Sequence, residues 1–124
     1  MQGINKLFIL GNLGNAPQIQ TGKTGQPYAH LSIATHRTFS GEDGKKEATD
    51  WHNVRVWGRQ AETCAKYLQK GQPVFVEGYL SNYNISQEDG KTERRVGINA
   101  LRVDFLPRAS GKPAPEADES VLEN

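Results

Sequence analysis

Two tryptophans, Trp51 and Trp57, stand six residues apart in the stretch DWHNVRVWGR (residues 50–59), with Arg55 between them and Arg59 just beyond. Side chains of an extended strand alternate between two faces. Trp51, Asn53, Arg55, Trp57 and Arg59 therefore share one side, and His52, Val54 and Val56 the other. The two valines suit a core. The opposite row, flat rings spaced by cations, is a costly surface to leave in water, because large aromatics gain by burial. The chemistry open to such a row is stacking on a planar partner. Packing in a core or a subunit interface is the competing use, and the arginines on the same face argue against it.

Bond-making chemistry has no comparable support. Of the three histidines, His30 and His36 share a strand parity but lie about 20 Å apart at 3.3 Å per residue, too far to hold one ion. His52 points away from the tryptophan row, toward packing or an interface. Cys64 falls on the apolar face of a predicted helix and reads as a small buried hydrophobe. The GNLG run (residues 11–14) is not followed by the GxxxxGK[ST] pattern that cradles phosphates, so a strand bulge explains it better. No carboxylate cluster and no nucleophile with a base is present. The chain is expected to be no enzyme and to hold neither metal nor cofactor.

The elements that must position the row can be read along the chain. Asn5 to Leu10 is an apolar strand ended by the turn or bulge GNLGNAP, and a short return, QIQ, leads to a hairpin turn, TGKTGQP. YAHLSIATHRTF alternates as a second strand, SGEDGKKEATD reads as a polar loop, and the tryptophan strand follows. From Arg59 to Lys70, apolar Ala61, Cys64, Ala65 and Leu68 recur at one-face helical spacing, with Gly71 as the stop. PVFVEGYLSNYNIS is a strand with a bulge or corner at Gly78. After the turn QEDGK, the last strand alternates Val96, Ile98 and Ala100 and then slips parity at Leu101, which predicts a bulge. Three strands, a helix and two strands is the order of an OB-fold, an all-β, five-stranded Greek-key barrel with one helix between strands three and four. Its usual oligonucleotide surface is the face of strands two and three with the loops joining strands one to two and four to five.

The 124 residues suit one domain, and 35% hydrophobic content implies a modest core. There is no apolar run long enough to span a membrane and no charged-then-apolar leader. A single cysteine excludes a disulfide framework and makes a reducing cytoplasm the expected setting. The net charge of +1 conceals a division. Residues 1–108 carry 14 Lys and Arg against 10 acids, whereas residues 109–124 carry one lysine and four acids. That Pro-, Ala- and acid-rich end, ASGKPAPEADESVLEN, cannot bury enough apolar area to offset its ordering entropy and reads as a disordered acidic tail.

Taken together, INKLFILGNLGNAP, LSIAT, DWHNVRVWGRQAE and AKYLQKGQPVFVEGYL resemble the bacterial single-stranded DNA-binding protein family, in order and spacing over roughly residues 3–107. The resemblance implies an OB-fold subunit, usually a homotetramer, that coats single-stranded DNA in replication, recombination and repair without catalysis. It also implies a cytoplasmic, nucleoid-associated protein. Carried over residue by residue, it makes Trp51, Trp57 and Phe39 stacking aromatics. Many members have a loop tryptophan where this sequence has Ile85, with Tyr83 as a nearby substitute. Lys6, Arg37, Arg55, Arg59 and Lys70 are the cations expected to neutralise phosphates. Family tails recruit replication and repair proteins through an apolar tip ending in phenylalanine, and this chain departs from that pattern with ADESVLEN. The runner-up is an OB-fold adaptor of the primosomal kind, acting mainly through protein contacts.

Overall fold

Buried and exposed side chains alternate where the β-branched residues lie, and that alternation builds the barrel. The computed structural model describes residues 1–107 and runs β1 (Leu7–Leu13), β2 (Gln20–Thr21), β3 (Pro27–Gly41), β4 (Gly44–Trp57), α1 (Gly58–Tyr67), β5 (Pro73–Ser86) and β6 (Thr92–Phe105). The sheet order is β1-β5-β6-β4-β3-β2, and β1 pairs with β3 to close the barrel. The five long strands follow the order expected from the sequence, and β2 is a two-residue addition laid against the start of β3. Ala29, Leu31 and Ile33 of β3, Val54 and Val56 of β4, and Val74 and Val76 of β5 point inward and are buried. Ala61 and Cys64 of α1, with Leu68 just past it, join the same core. Burial pushes the Cys64 thiol up to about 11, as befits an unreactive packing group.

Curvature and closure depend on close backbone approaches. A Cβ on Gly11 would meet the Ala34 carbonyl oxygen where β1 crosses to β3, and one on Gly78 would meet the Asn99 carbonyl oxygen. Opposite Gly78 the register passes from Glu77↔Arg102 to Gly78↔Ala100, so Leu101 is the extra residue of a bulge. Both the Gly78 corner and the Leu101 slip were legible in the sequence.

Two expectations need correction. SGEDGKKEATD is not a loop: β3 and β4 stay paired from Tyr28↔Trp57 to Gly41↔Gly44, with only Glu42 and Asp43 between the strands. Past Thr35 the hairpin leaves the barrel, and His36 to Ser40 are all exposed. With neither face over a core, the strand has no apolar alternation to betray it. The helix is also shorter than the apolar spacing predicts. It starts at Gly58, whose φ of 69° turns strand directly into helix at an angle that suits glycine, and Leu68 is already extended at φ −83°, ψ 142°. Leu68 still buries its side chain and donates its N–H to the Cys64 carbonyl at 2.9 Å. Arg59 therefore lies in α1, off the tryptophan strand.

Candidate nucleic-acid interface

The β3–β4 register sets the site. Across the ladder Tyr28 faces Trp57, His30 faces Arg55, Ser32 faces Asn53 and Ala34 faces Trp51. These residues share the outer parity, opposite to the buried valines. Trp51 is 59% exposed, and a Cβ on Gly14 would run into its ring edge. Glycine and alanine thus seat the indole while leaving much of it open. Trp57 is half-buried: its ring lies 5.1 Å from that of Tyr28 at 37°, and its Nε1–H donates to Asn99 Oδ1 on β6 at 3.2 Å. Tyr28 in turn meets the His30 ring edge-on at 5.6 Å.

Arg55 is the hub. Its guanidinium carbon stands 5.5 Å from the ring centres of Tyr28, Trp57 and Tyr83, a cation held among three π-faces. Its Nε is enclosed without a hydrogen-bond partner. Tyr83 is held over Gly97, where a Cβ would come within 3.0 Å of the ring. Between β4 and the β5–β6 ribbon lies a cleft whose polar lining is His30, Asn53, Arg55, Ser81, Tyr83 and Asn99, with Val96, Gly97 and Ile98 beside them. Partial desolvation first, and then the charge of Arg55, lower the pKa of His30 below its usual 6.5.

The expected site residues divide accordingly. Trp51, Trp57, Arg55 and Tyr83 occupy one continuous outer face, and Ile85 shares the parity of Tyr83 two residues along β5. Phe39 does not join them: it shares parity with Thr35 and Arg37 on the hairpin ribbon, opposite Lys46, with Arg37 stacked at 5.7 Å. Arg37 is committed to Asp50 at 2.8 Å, a pairing that holds the Asp50 carboxyl below its usual range. Lys6 pairs with Glu77 at 3.1 Å next to Phe8 and Phe75, Arg59 is on α1, and Lys70 lies past the helix end. Of the five cations proposed for phosphates, Arg55 alone sits on the tryptophan row. Tyr28, His30 and Asn99 were missed as partners of that row. The parity of YAHLSIAT carries Tyr28 and His30 outward, and the hairpin register, invisible in the sequence, sets them against Trp57 and Arg55.

Known proteins resemble this chain in sequence and in fold. The model of the family described as "Single-strand binding protein family" matches residues 4–106. The chain is 37% identical over 92 residues to "Single-stranded DNA-binding protein 1" of Chlorobaculum tepidum, covering 73% of this chain and 56% of that one, so it spans little more than half of that relative. It is 34% identical over 108 residues to the protein of the same name from Xylella fastidiosa, covering 86% and 79%. Among solved structures, "Plasmodium falciparum SSB complex with ssDNA" superposes with a TM-score of 0.76 at 25% identity, over 86% of this chain and 98% of that one. A family match spanning the whole barrel, over a barrel whose outer face carries the tryptophan row, establishes that the chain belongs to the single-strand binding protein family.

Proposed function

We propose that this chain binds single-stranded DNA without reading its sequence, coating it during replication, recombination and repair, and performs no catalysis. The observation that carries this reading is the outer β4 face, where the exposed Trp51 and the Arg55 cage of Tyr28, Trp57 and Tyr83 offer rings to bases beside a fixed positive charge. Every base has a π-face, so such a platform is indifferent to sequence. Duplex DNA keeps its bases stacked and cannot use it. Ile85 extends the face with an aliphatic edge, and Phe39 with Arg37 gives the hairpin ribbon a second contact. Arg59 and Lys70 serve phosphates at the helix end of the path. Lys6 belongs with Glu77 at an assembly face. The open ring row supports this reading over an adaptor that works through protein contacts.

Competition between a single strand and a duplex of equal length tests it. Single-strand affinity should be far the greater, and log K should fall with log salt at about −0.7 per phosphate neutralised. Equal affinities would rule the function out.

A homotetramer fits the opposite side of the barrel. Phe8 and Phe75 stack at 5.8 Å, and Phe8 and the neighbouring Leu10 are 59% and 60% exposed, an apolar patch that a second copy would cover. Light scattering should give a mass of four chains; a monomer at all concentrations refutes the assembly. The acidic tail, residues 109–124, lies outside the described residues, and its proposed roles are competing with DNA for the basic face and tethering replication and repair proteins. A chain ending at Arg108 should then bind DNA more tightly at low salt, the difference closing as the Debye length shrinks from about 30 Å at 0.01 M to about 8 Å at physiological strength. No helix among the described residues is long and apolar enough to cross a membrane. Action on DNA in the cytoplasm, at the nucleoid, follows from the proposed function.

A further inference from the structure

The cleft behind the ring row has a distinctive polar lining. Arg55 lines it with a guanidinium whose Nε is enclosed without a partner, and Asn99 has given its oxygen to the Trp57 indole, which leaves its amide N–H groups. Asn53, Ser81 and His30 complete the polar wall, and no carboxylate lines it. A cleft rich in donors and free of acids favours an anion. Resting on the single-stranded DNA reading above, we infer that this cleft seats one backbone phosphodiester of the bound strand, gripped by Arg55 from β4 and His30 from β3.

Stacking on the flanking rings brings the backbone to this position. Tyr83 lines the cleft and Trp57 lies against Arg55, so a base laid on either ring carries its own phosphate toward Arg55. The seat also changes the state of His30. In the free protein partial desolvation and the Arg55 charge hold its pKa below the ordinary value. The other titratable groups facing it are Tyr28 on β3 and Tyr83 on β5; β6 adds none to the cleft wall, and Arg95, beyond Tyr83, is paired with Glu93 at 3.2 Å. A phosphate entering the cleft offsets the field of Arg55 and adds a negative charge beside the ring, which favours the imidazolium. His30 takes up a proton on binding and donates it in a hydrogen bond to the phosphate.

The sign of the linkage follows. The bound-state pKa lies above the free-state one, so affinity is independent of pH above both and rises as pH falls through the bound-state value. The gain is complete only below the free-state value, itself under 6.5. For one proton the slope within that window reaches up to about tenfold in affinity per pH unit.

The test uses the full chain and oligo(dT). Calorimetry at pH 6.5 in two buffers of different ionisation enthalpy reads protons taken up, and the affinity is followed from pH 8 to pH 5.5. The wild-type chain should take up a fraction of a proton per subunit, and His30→Gln should abolish that uptake together with the pH dependence it causes. An oligomer with uncharged methylphosphonate linkages should lose the same uptake even with the unaltered protein. Uptake that persists in His30→Gln, or with the uncharged backbone, overturns the phosphate seat. No uptake at all, with binding intact, overturns it too. Absence of binding by every chain at every pH would instead refute the single-stranded DNA reading itself.

Discussion

Trp51→Ala is expected to weaken single-stranded DNA binding by about 1–3 kcal/mol, the usual loss per stacked base, while leaving stability nearly unchanged. The indole makes this a clean substitution because it is 59% exposed and rests on Gly14 instead of filling the core. Trp57→Ala should show a mixed effect. Its ring packs on Tyr28 and its Nε1–H holds Asn99, so removal frees Arg55, orphans an amide and lowers stability as well as affinity. Binding isotherms and thermal melts of the two variants separate the cases. A collapse of melting temperature in Trp51→Ala, with residual folded protein binding normally, would make that tryptophan structural.

Gly78→Ala should, with Gly11→Ala, be among the most damaging of the small substitutions. The added methyl is aimed at the Asn99 carbonyl oxygen and the Ala100 Cα, both backbone, at the bulge where β5 and β6 change register. Neither can move as a side chain would. The cost is expected at the upper end of the about 1–3 kcal/mol typical of overpacking, or above it. Asn99 also anchors Trp57, so the same shift should reach the site. Urea denaturation checks the stability; a change within about 0.5 kcal/mol, the range of ordinary surface substitutions, would show that the corner yields more easily than its geometry implies.

How far the sequence disclosed this depended on whether a residue lies over the core. Val54, Val56, Val74 and Val76 declared themselves by alternation, and Gly78 with Leu101 by interrupting it. The β3–β4 ribbon beyond Thr35 could not, because Lys45, Lys46 and Glu47 are wet on both faces and look like a loop. That one misreading hid the register, and with it the juxtaposition of Tyr28 and His30 with the tryptophan row. Parity along β4 gave the row correctly up to Trp57. It failed at Arg59, where Gly58 turns the chain into α1 and strand counting no longer applies. Phe39 carried a family position but sits on the other parity of the ribbon, a distinction that needs the paired strand.

The chain has only two tryptophans, and both stand on the proposed interface, so tryptophan emission excited at the red edge, where tyrosine does not absorb, reports on that face. Titrating the protein with oligo(dT) at low and at physiological salt should quench the emission to a saturating plateau, with weaker binding at the higher salt and a smaller quench in Trp51→Phe. Unchanged emission at concentrations where DNA is demonstrably bound would contradict the stacking face, because the strand would then lie elsewhere on the barrel.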